Sequence, residues 1–447
     1  MSMSTKARVD RKTVPGITAL SVSGYKSLSR RQRLEIRPLT ILAGANSSGK
    51  SSVMQPILLL KQTLEASYDP GPLLLNGTNV RFTTADQLLS RTAANTYADE
   101  LHIGLETAPY GSVELVFKRP PRKSLDLDRM IFQEETKSIV LQQNMSKEEI
   151  SEVVPEPLRH WETIQLQRGR RKVQWVLRRE RCFFTVRLSV PGFPIGPPFP
   201  SYPFGIPDVS EHIQKIIHLP ALRGNPERTY PTTAVGTKFP GTFQEYTASI
   251  VALWQTTNDR RLRRLQRALE KLGLTWTVSV QTLDETQVEL QVGRLPHRSR
   301  AQKDGQVNVA DVGYGVSQVL PVLVALFAAS PGQLVYIEQP EIHLHPRAQT
   351  ALAEVLADAA KRGVRVVVET HSDLLLLGLQ TLVAEGNFAP ELIKLHWFSR
   401  RKDGSTQIES ADLDESGAFG EWPVDFGDVR QRVENQFLTA AESSIER

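Results

Sequence analysis

The sequence predicts an α/β fold built around a parallel sheet. Two observations carry that prediction. From residue 305 onward the pattern runs strand, helix, strand again, and the runs "LVYIE" (334–338) and "VRVVVET" (364–370) are apolar without alternation, as strands covered on both faces are. Near the N-terminus, "GANSSGKS" (44–51) fits G-x-x-x-x-G-K-[ST] between a predicted strand and a predicted helix, which is the context that motif requires.

The bounds agree. At 447 residues the chain can bury a sizeable core, as one large domain with an insertion or as two to three domains. Its composition, 40% hydrophobic and 23% charged, is globular rather than disordered. No run of about 18 apolar residues is present, so no membrane span is expected. The start "MSMSTKARVDRKTVPG" has no apolar stretch of the secretory kind. Cys182 is the only cysteine, which excludes an internal disulfide or a cysteine metal cluster and fits a reducing cytoplasm. The net charge of +5, with arginine far above lysine, reads either as codon preference or as contact with phosphate-rich partners.

Taken in order, "ITALSVSGYKSL" and "LEIRPLTILAGA" read as strands through alternation and β-branched residues. "SSVMQPILLLKQTLEASY" (51–68) reads as a helix, with Pro56 in its second turn as a candidate kink. "HIGLET" (102–107) and "SVELVFK" (112–118) continue as an antiparallel meander. "SKEEISEVV" (146–154) is helical, with Ser146 as cap and Glu149 at the capping-box position. "RKVQWVLRRERCFFTVRLSV" (171–190) alternates like a strand pair, and the seven prolines of 191–207 make a loop. A long helical region at 242–273 sets Leu262, Leu265, Leu269 and Leu272 on one face and arginines on the other. Residues 276–293 form a hairpin around Asp284-Glu285. Helices at 313–329 and 346–361 precede the strands 334–338 and 364–370, and "LIKLHWFSR" and "TQIESADLD" flank the turn "KDGS". No internal repeat and no sustained heptads are present, which argues against a long coiled coil.

Four motifs carry chemistry. In "GANSSGKS" the glycines let backbone N–H groups wrap phosphates at a helix start, Lys50 reaches the β- and γ-phosphates, and Ser51 ligates Mg²⁺. "LVYIE" delivers Glu338 to the metal shell, with Pro340 ending the ladder. "VVVETHSD" (366–373) brings Thr370 and His371 to a strand tip, where a histidine senses a γ-phosphate or simply caps the chain. "VADVGYGVSQVLPVL" (309–323) opens an apolar helix with a Gly-x-Gly turn, an anion site that can serve a nucleotide bound to another copy.

In this order the motifs resemble the ABC-type ATPase heads of the RecF, SMC and OLD-like group, above all a bacterial subgroup with "GxNSSGKSS", "VGYGVSQVLP", "IEQPEIHLHP" and "ETHSD". "LPALRGNPERTY" (219–230) and "FGEWPVDF" (419–426) also look like that subgroup's segments. The resemblance implies a P-loop NTPase head of mixed sheet, with an inserted α/β region and a small C-terminal extension. Lobe I would span 1–118, the inserted and connecting region 119–300, lobe II 301–410 and the extension 411–447. Gly44, Asn46, Ser47, Ser48, Gly49, Lys50, Ser51 and Ser52 would hold phosphate and metal, with Ser51 and Glu338 on the Mg²⁺. Gly313, Gly315, Ser317 and Gln318 would form the signature facing the opposite subunit's γ-phosphate, and His371 the switch. Lys26 would lie near the nucleotide, His345 in the dimer-contact loop, and the glutamine loop at Gln62 or Gln87.

Two departures stand out. Gly313 replaces the signature's usual serine, for which Ser317 is the nearest hydroxyl. Gln339 occupies the position of the general-base glutamate, and a neutral amide accepts a proton poorly. Glu341, two residues on, is either a substitute base or a helix-start carboxylate. His343 and His345, with no further Cys or His nearby, make a poor metal site.

The resemblance thus implies a cytoplasmic ATPase that uses ATP and Mg²⁺, joins a second copy around ATP as a homodimer or higher oligomer, and hydrolyses slowly. With no nuclease constellation of its own, it would act as the sensor or switch of a bacterial DNA-related or anti-phage defence system with a separate effector nuclease. One alternative is a RecF-like DNA-binding repair protein, favoured by seven basic residues in 168–181 and the arginines of 260–271, which also read as a solvated face. The other is the ATPase of a membrane transporter, disfavoured by the long insertion and the absence of the usual transporter signature.

Overall fold

The computed structural model describes residues 14–91, 96–120, 125–134, 137–156, 158–159, 174–189, 201–202, 204, 206–293, 305–420 and 435–439. The basic run 168–173, the proline-rich 191–200 and most of 419–426 lie outside them.

In chain order the strands are β1 (Gly16–Ser23), β2 (Gln32–Glu35), β3 (Leu39–Gly44), β4 (Glu100–Ala108), β5 (Gly111–Lys118), β6 (Asp126–Glu134), β7 (Lys137–Gln142), β8 (Gln174–Glu180), β9 (Phe183–Ser189), β10 (Ser201–Tyr202), β11 (Ile217–Leu219), β12 (Tyr230–Pro231), β13 (Val278–Thr282), β14 (Gln287–Gly293), β15 (Gln306–Asn308), β16 (Leu334–Glu338), β17 (Arg365–Glu369), β18 (Ile393–Arg400) and β19 (Thr406–Ala411). The helices are α1 (Lys50–Glu65), α2 (Lys147–Val153), α3 (Ile206–Gln214), α4 (Thr247–Thr256), α5 (Arg260–Lys271), α6 (Tyr314–Ala328), α7 (Pro346–Lys361) and α8 (Asp373–Ala384).

The central sheet has the order β11-β16-β17-β3-β18-β19, parallel except for the last strand. Its inner strands are buried on both faces, which is why Val366, Val367 and Val368 follow one another without a polar break. One face packs on α4 to α8 in a single core. The other packs on α1, which shares a second core with the antiparallel sheet β2-β1-β4-β5-β6-β7 and the β8–β9 hairpin.

Two expected elements are divided. "LEIRPLTILAGA" is two strands in different sheets, β2 antiparallel to β1 and β3 parallel to β17. Pro38 lies at the break, where its missing N–H costs no ladder bond. The helical region 242–273 breaks at Asn258, whose φ is 51°, and Asp259 caps α5 by accepting from Arg261 N at 2.8 Å. In contrast, α1 runs through Pro56 as one helix. The capping box on α2 is present, with Ser146 Oγ accepting from Glu149 N at 3.2 Å and Glu149 accepting from Ser146 N at 2.7 Å.

α1 matters because its first turn carries the phosphate loop. Its far end is tied down by Lys61, which is fully buried, pairs with Glu65, and donates to the carbonyls of Phe239 (3.0 Å) and Gly241 (3.3 Å). Burial lowers the Lys61 ammonium and raises the Glu65 carboxyl, so each charge depends on the other. Lys61→Ala is expected to destabilise the chain by about 3–5 kcal/mol, because it strands Glu65 uncompensated. Lys61→Met with Glu65→Leu should cost less than the single change. Denaturant titrations check this, and a double variant weaker than Lys61→Ala would contradict it.

Candidate active site

The phosphate loop turns between β3 and α1. Gly44 has φ 139°, and a Cβ there would meet the Phe398 carbonyl oxygen on β18 at 2.2 Å. Gly49 has φ 107°, and a Cβ would meet Thr406 Oγ1 on β19 at 2.4 Å. Both positions therefore need glycine for conformation and for room. The outer strands clamp the loop: Arg400 Nε donates to Ser47 O at 2.7 Å, and Thr406 Oγ1 donates to Ser48 O at 2.7 Å. Ala45, Asn46 and Ser47 are exposed, whereas Ser48 is buried, and Ser52 is half-buried in the first turn of α1. Lys50 Nζ folds onto the loop's own carbonyls, Gly44 O at 3.0 Å and Ala45 O at 2.8 Å. Burial lowers its ammonium, and the carboxylates of Glu369 and Glu341 work against that shift. Lys26 flanks α1, donating to Gln55 Oε1 at 2.6 Å with its ammonium 4.9 Å from the Phe82 ring centre.

The acids come from two neighbouring strands. Glu338 on β16 pairs in register with Glu369 on β17, and β17 lies between β16 and β3. The carboxylate that touches Ser51 is therefore Glu369: Ser51 Oγ reaches its two oxygens at 3.0 and 2.8 Å, and the Tyr336 hydroxyl donates to it at 3.1 Å. Glu338, expected as the metal-side carboxylate, is held one strand away by His218 Nε2 at 3.2 Å and Ala221 N at 3.3 Å. Burial pulls Glu338 upward, but the contacts with His218 and Ala221 N–H outweigh it and leave the carboxyl below its ordinary value. Burial and the like charge of Glu338 hold Glu369 above its ordinary value, against the Ser51 bond.

Beyond β16 the chain turns sharply. Gln339 adopts φ 45°, unusual for a non-glycine residue, and its N–H donates to Glu369 O at 2.7 Å. Glu341 belongs to the turn and not to a helix start, since α7 begins at Pro346 behind the cap His345. It is buried, accepts from His371 N at 2.8 Å through Oε1, and leaves Oε2 without a hydrogen-bond partner. Burial raises its carboxyl. The His371 side chain is exposed, and partial burial followed by the Lys50 charge keeps its imidazole below the usual histidine range.

The signature opens α6. Gly313 and Tyr314 are exposed, and Gly315 lies against the His343 carbonyl, 3.2 Å from where a Cβ would sit. Ser317 Oγ donates back to Tyr314 O at 3.0 Å. Gln318 is buried and donates to Gly224 O at 2.8 Å, because its position on α6 faces the core. Of the two glutamine-loop candidates, only Gln87 is exposed. Gln62 is buried and braces the backbone at Leu74 and Val80, and Gln87 accepts from Thr83 N.

Three residues at the candidate site carried no assigned role in the sequence. Glu369 stood unassigned within "ETHSD". His218 lies on β11 and Arg223 in the segment that follows it. His218 is buried, stacks on Tyr336 at 5.4 Å, and bridges Asn79 and Glu338. Arg223 is 7% exposed and donates to the carbonyls of Glu338 at 2.7 Å and Gln339 at 3.4 Å. Burial brings its guanidinium down to about 10, against the pull of Glu341 and Glu338.

These oxygens suit Mg²⁺, which takes one or two carboxylates together with substrate phosphates. Ser51, Glu369 and Glu338 supply that kind of donor, and among the described residues no three His, Cys, Asp or Glu side chains converge as a closed protein cage.

The raised carboxyl of Glu369 has a pH signature. A raised folded-state pKa contributes stability below the ordinary carboxylate range, and that contribution is lost as pH rises through the raised value. Glu369→Gln keeps an acceptor for Ser51 without the charge. Free of Mg²⁺ and nucleotide, it should melt higher than the unmodified chain at pH 8, with the gap closing toward pH 4. A gap that widens in acid would contradict this.

Residues 255–377, from the end of α4 into α8, match the family model described as "AAA domain, putative AbiEii toxin, Type IV TA system". No curated protein matches the chain. Solved structures similar to it are an SMC head bound to the C-terminal domain of ScpA derived from Pyrococcus furiosus (12% identity, 89% of this chain and 96% of that one, TM-score 0.47) and the SMC head domain from Thermotoga maritima (10%, 89% and 100%, TM-score 0.39). The matched segment contains Gly313 to Gln318, Glu338, Glu369 and His371, of which Glu369 touches Ser51 of the phosphate loop. The likeness to an AAA domain is thus that of this segment, about a quarter of the chain.

Proposed function

We propose that this head closes on a second copy around ATP, hydrolyses it slowly with Glu341 as proton acceptor, and reports its state to a separate effector. The observation that carries the reading is the exposed start of α6. Gly313 and Tyr314 face solvent, their neighbours are His343 and Asn225, and the phosphate loop is enclosed by a different set, Phe398, Arg400, Thr406 and Glu369. A signature displayed this way suits the nucleotide of another copy.

Within one site, the loop N–H groups and Lys50 bind the phosphates. Ser51, Glu369 and Glu338 would hold Mg²⁺, which offsets charge on the β- and γ-phosphates when bound. Gln339, fixed by its backbone to Glu369, orients water through its amide. Glu341 has the free buried oxygen Oε2 and a raised carboxyl, properties that suit a proton acceptor working nearer neutrality than an ordinary carboxylate. The matched family's description, with its toxin and type IV TA wording, supports an effector-linked role in a bacterial defence system, for which a nuclease is the expected partner. The described helices include none long and apolar enough to cross a membrane.

A second reading rests on α5, where Arg260, Arg263, Arg264 and Arg267 are exposed and make no ion pair among the described residues. Such a face fits a phosphate backbone. If it binds duplex DNA, the log–log salt slope should change by about 0.9 for each arginine removed. An unchanged slope for Arg263→Glu with Arg267→Glu would return the helix to solvent.

The main reading is tested by mixing. Lys50→Ala and Gly315→Asp chains should each be inactive alone and regain turnover together, since the mixed dimer keeps one site with both halves intact. Glu341→Gln should slow turnover by about 10² to 10⁴-fold, the usual worth of a general base. Absence of recovery on mixing, with both variants folded, would overturn the trans site, and an unaffected Glu341→Gln would overturn the proton acceptor.

A further inference from the structure

The segment between β11 and β12 joins the acidic strand to the signature helix. At its first end, the Ala221 N–H joins His218 of β11 in holding the Glu338 carboxylate, and Arg223 Nη2 holds the carbonyls of Glu338 and Gln339. At its second end, Gly224 O accepts from Gln318 and Asn225 Oδ1 accepts from the Tyr314 hydroxyl at 3.3 Å, both on α6. Arg228 adds an ion pair to Asp311, just before the signature, at 2.7 Å. Five residues, 221 to 225, thus span from the hydrolytic strand to the helix that would serve a different nucleotide.

Arg223 is anchored at one end only. Its Nε and Nη1 have no hydrogen-bond partner, and the same holds for Gln244 Oε1 and Thr247 Oγ1. All three residues line one cavity of about 60 Å³ under α6, bounded also by Ser317 and Pro321. Polar groups around a space of this size can be served by water, so the guanidinium has room to move with the carbonyls it holds. A fully bonded arginine in a tight core would lock the strap, whereas this one can follow a shift of the strand end.

We infer that Arg223 is a positioning residue that couples the hydrolytic strand of one nucleotide site to the signature this chain presents to the other. The inference rests on the trans arrangement proposed above. Arg223 touches no reacting atom in this account. It passes displacement of Glu338 and Gln339 through Gly224 to Gln318, so that the signature closes only when its own chain's acidic strand is set.

The test uses the full chain with Mg²⁺ and ATP and compares Arg223→Ala, Arg223→Lys, Gln318→Ala and the Arg223→Ala/Gln318→Ala pair. Each alanine variant should still bind ATP calorimetrically but lose ATP-driven dimerisation and kcat by roughly 2- to 30-fold, the range for residues that carry coupling. Cooperativity in ATP should flatten while KM changes less than kcat. The pair should lose little more than the larger single effect, because both changes cut one strap. Arg223→Lys, which keeps a donor for the Glu338 carbonyl, should recover part of the loss. Gln318→Ala lies at the far end of the strap and keeps the inference testable if Arg223→Ala misfolds. An unmodified chain that stays monomeric with ATP overturns the trans reading and the inference with it. An unmodified chain that dimerises, with Gln318→Ala unchanged in dimerisation and kcat, or with the two alanine effects fully additive, overturns the inference alone.

Discussion

The contact between the Ser51 hydroxyl and both oxygens of Glu369 is the point on which the site turns. It exists because β17 is the strand next to β3, so the acid at the tip of β17 comes first against the phosphate loop and the acid of β16 comes second. That order also places Gln339, whose N–H is bound to the Glu369 carbonyl, and His371, whose N–H is bound to Glu341. Moving one strand would relocate every group that could meet a phosphate.

The arrangement is electrostatically costly. Register neighbours in a sheet lie about 4.8 Å apart, and two unit charges at about that distance repel by on the order of 3 kcal/mol at an effective dielectric near 20. The protein offsets this with Ser51 and Tyr336 on Glu369, with His218 and the Ala221 N–H on Glu338, and with the charges of Lys50 and Arg223 nearby. The compensation is incomplete. Glu369 and Glu341 remain above their ordinary range, and Glu341 Oε2 has no partner. A divalent cation and its phosphates suit such a cluster, which gives the site a physical reason to be better ordered with nucleotide than without it.

The parallel sheet, the phosphate loop and the boundaries of β16 and α7 were legible because each depends on local pattern: apolar runs, a glycine spacing, a proline at a helix start. Glu369 was not singled out, because its role follows from which strand lies beside β3, and strand order is a long-range fact. Arg223 and His218 escaped assignment for the same reason, since their partners are more than a hundred residues away in sequence. The burial of Gln318 was not legible either, as spacing cannot tell which side of a helix meets the core. The split of "LEIRPLTILAGA" at Pro38 was written locally, yet two strands running into different sheets look like one until the sheets are known.

On the proposed reading, acids from two adjacent strands complete one half of a nucleotide site whose other half is a second chain's signature. A crystal structure of the full chain with Mg²⁺ and a non-hydrolysable ATP analogue tests it most directly. The expected result is Ser51 Oγ turned from Glu369 to the cation, Glu369 and Glu338 in its ligand shell or bonded to its waters, and Gly313 to Ser317 of another copy on the γ-phosphate. A γ-phosphate covered by residues of the same chain, or a cation held away from Ser51 and both acids, would contradict it.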